Sequence, residues 1–210
     1  MDSQRFAAAS PEPDDSAEPA PHFLWCGVGY PQDVLFLVRV LALVNRDGHR
    51  CRLRIVSANY LTWGPEQIRS YAADQGLPPD AIVFMGRVDD HTLEVCYKSA
   101  TALLLPLWDD DQSRTRMPNK LAEYLASGRP VVTCKVGDLL DFLVDGVNAH
   151  LAEPGAERDF ADRMIAVLQD PVRADQIGAA GQQTCLAQLD YRAHAGKLAK
   201  FFVNCIEHST

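Results

Sequence analysis

A chain of 210 residues, 47% of them apolar, can bury one α/β core with some length to spare. Its net charge is −8, and residues 1–21 alone carry five carboxylates against one arginine. That balance excludes general nucleic-acid binding, which needs a basic face, but not a small local anion site. No apolar run reaches the length of a membrane span, and no basic, then apolar, leader opens the chain. The default expectation is a cytoplasmic protein with no transmembrane segment, able to sit peripherally at the inner face of a membrane.

Residues 1–21 combine Pro11, Pro13, Pro19 and Pro21 with alanines, serines and acids and show no hydrophobic period, so they read as a disordered tail. From 22 onward apolar runs alternate with helix-like faces. HFLWCG (22–27) reads as a first strand. Val34, Leu37, Val38, Leu41 and Val44 mark one face of a helix over 33–46. RLRIVSA (52–58) is a second strand, Pro65 opens a helix reaching Ala73, AIVFMG (81–86) is a third strand, and 91–99 is a short helix.

ATALLLPLW (100–108) reads as a buried fourth strand that ends in the acidic loop Asp109–Asp111. Pro118 starts a helix that runs to Ser127, and Gly128 stands at the C′ position, where left-handed backbone is favoured. PVVTC (130–134) is a fifth strand, 138–144 one or two helical turns, and VNAHLA (147–152) a weak sixth strand. Helices over 156–169, 171–188 and 190–206 close the chain. Strands alternating with helices imply one Rossmann-like three-layer α/β domain over 22–210, with a mainly parallel sheet of about six strands and C-terminal helices. Ligands in such sheets bind beyond the carboxyl ends of the strands, where strand order reverses.

The six cysteines, at 26, 51, 96, 134, 185 and 205, form no C-x-x-C pair and no zinc spacing with histidine, and they read as reduced, buried thiols. No metal-ligand cluster is visible; the one acidic run, Asp109–Asp111, is a poor imitation of a D-x-D motif.

Two segments carry chemistry. Gly27-Val28-Gly29-Tyr30-Pro31-Gln32 begins like a dinucleotide fingerprint, but Gln32 stands at its third glycine and Pro31 spoils the helix entry. The two glycines either let a ligand approach the backbone or simply turn the chain. The loop after the fourth strand holds Arg114, Thr115 and Arg116 and feeds the helix that carries Asn119 and Lys120. A helix N-terminus with nearby cations suits a diphosphate; the same cations could instead balance Asp109–Asp111. Glu123, one turn on, can accept hydrogen bonds from ribose hydroxyls or pair with Lys120.

P-N-K-L-x-E-Y-L-A-S-G-R-P-V-V (118–132) resembles the donor-binding segment of retaining GT-B glycosyltransferases, glycosyltransferase family 4 (glycosyl transferases group 1). V-D-G-V-N-A-H-L (144–151) is similar to a later stretch of that family, departing from it at Val144 and Ala149. F-x-G at 84–86, A-T-A-L-L-L-P at 100–106 and the closing segment from Asp170-Pro171 to Phe202 agree in order, so the likeness spans about 22–203. It implies the C-terminal, donor-binding half of a GT-B enzyme acting on a nucleotide-diphosphate sugar; with no metal-ligand cluster in view, the expectation is that no metal or other cofactor is needed. It also implies that Glu123 holds the ribose, that Arg114–Lys120 lie against diphosphate and sugar, and that Gly86, Arg87 and Val88 lie near the base.

The chain departs from that family in three places. Thr115 replaces the first glutamate of the family's E-x7-E pair. Val28 and Asp33 stand where its Arg and Lys meet the diphosphate, and Asp33 repels a phosphate. Only a tail precedes the first strand where the family has an acceptor-binding half. The expectation is therefore donor binding, with transfer requiring a separate N-terminal acceptor chain. The alternatives are a non-catalytic nucleotide-sugar module or truncated remnant, and an unrelated receiver-type α/β domain.

Overall fold

The computed structural model describes residues 20–28 and 30–207. Most of the expected tail and Gly29 lie outside the described residues. Six strands form one sheet: β1 (His22–Cys26), β2 (Arg52–Val56), β3 (Ile82–Gly86), β4 (Ala102–Leu105), β5 (Val131–Cys134) and β6 (His150–Ala152). Their order is β3-β2-β1-β4-β5-β6 and every pairing is parallel. Helices cover both faces of a parallel sheet, so its strands read as apolar runs rather than alternations. All four residues of β4 and of β5 are buried accordingly.

Eight helices accompany the sheet among the described residues: α1 (Pro31–Arg46), α2 (Pro65–Asp74), α3 (Asp90–Ser99), α4 (Asp111–Arg114), α5 (Asn119–Ala126), α6 (Glu157–Gln169), α7 (Pro171–Gln188) and α8 (Tyr191–Glu207). One layer is built by α1 against α2 and α6. In the other, α5 packs against α7 and meets α3 through Tyr97 and Tyr124, whose rings lie edge to face at 5.1 Å. The face expected of α1 is the buried one: Val34, Leu37, Val38, Leu41 and Val44 are all at most 1% exposed. Each such side chain contributes about 1.5–3 kcal/mol on leaving water.

The fourth strand is shorter than its apolar run, because Pro106 has no N–H to continue the ladder. The sixth is also shorter. Asn148 bends 144–149 into a turn, accepting the Val144 N–H at 2.7 Å and donating to Phe142 O at 2.9 Å. Four residues are too few to show a helical period, and α4 is a single turn whose N-cap, Asp110, accepts the Ser113 N–H at 2.7 Å. The turn expected over 138–144 is a 3-10 turn at Gly137–Asp141. Gly137 there has φ +54, and an added Cβ would lie 2.7 Å from Arg114 O, so this turn seats α4 only as glycine.

The chain runs β1 to β3 toward one edge and β4 to β6 toward the other. The reversal lies between β1 and β4, and the loops after those two strands flank it. No described helix is long and apolar enough to cross a membrane.

Candidate donor site at the carboxyl edge of the sheet

The loop after β4 and the start of α5 meet the loop after β1 at this reversal. A hollow of about 120 Å³ between them is walled by Tyr30, Gln32, Asp33, Trp108, Asp110 and Arg116, among others. A second, wider hollow of about 440 Å³ is lined by Met117, Pro118, Asn119, Ala122, Glu123 and Leu189. The segment 114–123 therefore serves two cavities: Arg116 faces one and Glu123 the other.

The structure separates the three cations of this segment. Arg114 is bound back onto Asp109 by two hydrogen bonds, Nε to Oδ1 at 2.6 Å and Nη2 to Oδ2 at 2.9 Å. That pair holds the Asp109 carboxyl below its ordinary range. Arg114 thus takes the role of balancing the acidic loop. Lys120 Nζ donates to Glu123 Oε2 at 2.7 Å and to Tyr97 Oη at 3.1 Å. Arg116 is exposed and makes no hydrogen bond or ion pair among the described residues. Its charge is felt by Asp33 and Asp110.

Glu123 is held by more than the i, i+3 pairing visible in the sequence. Tyr97 Oη, from α3, also donates to Oε2 at 3.0 Å. Burial pushes the Tyr97 phenol far above its usual value, so it keeps its proton and donates. Both partners converge on Oε2, leaving Oε1 with no hydrogen bond among the described residues. Glu123 is thereby oriented by two donors with one acceptor oxygen in hand. Nothing in the sequence marks Tyr97 as part of this group, since it lies 26 residues away in the chain.

The amino end of α5 is open. Pro118 is its N-cap and supplies no side-chain acceptor, so the first amides of the helix have no cap. Asn119 lines the wider hollow. Thr115 is exposed, and its hydroxyl donates to Asp111 O at 2.7 Å. Gly27 lies over Trp25, whose ring would stand 2.9 Å from an added Cβ. Gly86 ends β3 with φ +66, Arg87 is exposed, and Val88 packs partly against the core. These three stand two strands from β1, a lateral distance of about 10 Å.

Asp33, on the first turn of α1, is half buried and accepts the indole N–H of Trp108 at 2.7 Å. Burial raises its pKa, against the lowering effects of Trp108 and Arg116. Trp108 in turn packs edge-on to Phe36, ring centroids 5.5 Å apart. Among the described residues no group of three or more His, Cys, Asp or Glu is placed to hold a metal ion.

The chain is 28% identical over 137 residues to a phosphatidyl-myo-inositol mannosyltransferase of Mycobacterium leprae, an alignment covering 65% of this chain and 34% of the relative. Its fold matches the sucrose-phosphate synthase of Thermosynechococcus elongatus with a TM-score of 0.79 at 20% identity, over 99% of this chain and 51% of that one. It also matches the Anabaena protein HepE, solved in complex with UDP-glucose, with a TM-score of 0.68 at 16% identity, over 87% and 48% of the two chains. The chain spans 25–39% of the length of the curated relatives it matches. The profile described as "Glycosyl transferases group 1" matches residues 20–170, most of the chain, and the chain belongs to that family.

Proposed function

We propose that this domain binds a nucleotide-diphosphate sugar across the two hollows, as the donor half of a retaining family 4 glycosyltransferase. The observation that carries the reading is the grouping on one ten-residue segment of an unpaired arginine, an uncapped helix start and an oriented carboxylate. Arg116 and the α5 amides neutralise the diphosphate, with no metal in that role. Glu123 Oε1 accepts from ribose hydroxyls, and Gly86–Val88 border the base. The UDP-glucose complex of HepE supports a nucleotide sugar as the ligand class.

The acceptor is held by polypeptide beyond the matched region, in the same protein or in a separate chain. The family relatives, longer than this chain, support this, as does α8. That helix presents Leu198, Phe201, Phe202 and Ile206 along one face, each more than half exposed. Such a face suits burial against another protein surface.

Calorimetric titration with UDP-, GDP- and ADP-sugars tests the donor site. One of them binds in the micromolar-to-millimolar range, and Glu123→Ala weakens it about tenfold or more, as loss of a charged hydrogen-bond acceptor requires. Failure of every nucleotide sugar to bind would sink the proposal. A second reading, a binding module without catalysis, is favoured by Thr115, which offers no carboxylate, and by Arg114, which is tied to Asp109. Donor hydrolysis or transfer measured with and without an added acceptor half separates the two: turnover in neither condition favours the module.

A further inference from the structure

The hollow between the loops after β1 and β4 has the wrong charge for the phosphates that the adjoining groups suit. Its wall sets two carboxylates, Asp33 and Asp110, against one guanidinium, Arg116. Asp110 is occupied in capping α4. Asp33 is half buried and tethered. Its carboxylate is bonded to Trp108 Nε1, and the Trp108 ring is packed against Phe36, a buried residue of the same helix as Asp33. The charge is therefore built into the wall rather than carried on a mobile surface side chain. The titratable and charged groups that bear on it are Arg116 and Asp110 from the loop after β4 and the Cys134 thiol from β5.

Resting on the donor-site reading above, we propose that Asp33 is a specificity-determining residue: its tethered carboxylate penalises a ligand according to the negative charge of its phosphate chain and leaves the nucleoside contacts untouched. A fixed charge a few ångströms from a phosphate, in a cavity only partly open to water, is poorly screened. Arg116 and the α5 amides still attract the phosphates, and Asp33 offsets part of that attraction. The domain discriminates weakly between a nucleoside and its diphosphate, where a purely cationic site favours the diphosphate strongly.

The test is a charge ladder. Uridine, UMP and UDP, and in parallel guanosine, GMP and GDP, are titrated into the wild-type chain and into Asp33→Asn at one pH and two salt concentrations. Asparagine keeps a carbonyl oxygen for the Trp108 N–H, and Asp33→Ser serves if the amide variant misfolds. Melting temperatures confirm that each variant is folded. In Asp33→Asn the ratio of diphosphate to nucleoside affinity rises about tenfold, with the nucleoside itself unchanged, and diphosphate affinity falls more steeply with salt than in the wild type. Equal ratios in the two proteins overturn the role of Asp33. If Glu123→Ala still weakens all three members of a series, the donor site stands without it. If neither series binds wild type or variant, the donor site and the role of Asp33 both fall.

Discussion

The hydroxyl of Tyr124 accepts the backbone N–H of Cys26 at 2.8 Å and lies 3.4 Å from the carbonyl oxygen of the same residue. One phenol thus ties α5, which carries Glu123, to the carboxyl end of β1. Tyr124 is fully buried, so Tyr124→Phe leaves a backbone amide without its partner. We expect a loss of about 1–3 kcal/mol in urea unfolding with little change in m-value. Nucleotide binding should weaken as well, because the helix start and the loop after β1 lose their common anchor. An unchanged urea midpoint would contradict the assignment.

Glycine 178 sits inside α7, where replacing a helical glycine by alanine usually stabilises by about 1 kcal/mol. Here the sign inverts. A Cβ on Gly178 would collide with Gly128 O and stand 2.8 Å from the Arg129 carbonyl carbon, both backbone atoms of the turn that joins α5 to β5. Gly178→Ala should therefore lower the melting temperature, while Gly196→Ala in α8, where a Cβ meets no described residue within 4 Å, should raise it or leave it unchanged.

The six cysteines divide by burial. Cys51, Cys96, Cys134 and Cys185 are buried, Cys26 is half buried, and Cys205 is exposed on α8, contrary to the expectation that all are buried. Burial pushes the Cys51 thiol up to about 12 and those of Cys134 and Cys185 up to about 11. At pH 8 these remain protonated and unreactive. Titration of the native chain with a disulfide reagent should give one fast thiol, absent in Cys205→Ser, and six in denaturant. If an acceptor-binding half covers α8, adding it should slow that fast reaction.

His150, on β6, is 7% exposed, and its Nε2 has no hydrogen-bond partner among the described residues. Burial lowers its pKa below the ordinary histidine value, opposed by Asp145 and reinforced by Arg163 and Arg173. Since the unfolded chain takes up a proton first, the neutral ring's contribution to stability is complete above about pH 6.5 and is lost as pH falls toward the folded-state pKa. The urea midpoint should drop between pH 7.5 and 5.5, and His150→Leu should flatten that drop. An equal drop in both proteins would place the acid sensitivity elsewhere.

The order and kind of nearly every element could be read from the chain because they depend on neighbours in sequence. The apolar period of 34–44 makes a helix face, Pro106 stops a strand, and Gly128, with φ +77, lets α5 end where the C′ position requires. The segment 114–132 could be singled out on the same grounds, since its cations, proline and glycine act within a few residues of one another. Alternating strands and helices likewise imply a parallel sheet with its ligand site at the carboxyl edge.

The partners inside that site depend on distant parts of the chain, which a local period cannot supply. Tyr97 meets Glu123 across 26 residues, Trp108 meets Asp33 across 75, and Tyr124 meets Cys26 across 98. The last two exist because β4 lies beside β1, which sets the segments after two sequence-distant strands side by side; the first joins α3 and α5, the helices before and after β4. Short-range pairs engage Arg114 and Lys120, and the tertiary arrangement decides what else the charges of 114–123 face. Arg114 is closed onto Asp109, Lys120 onto Glu123 and Tyr97, and Arg116 is left facing a carboxylate that the core holds in place. The segment and its position in the fold follow from the chain alone, because both rest on short-range pattern. What those charges face follows only from the fold, because contact across the sheet and between helices sets Asp33 against Arg116 and brings the Tyr97 phenol to Glu123.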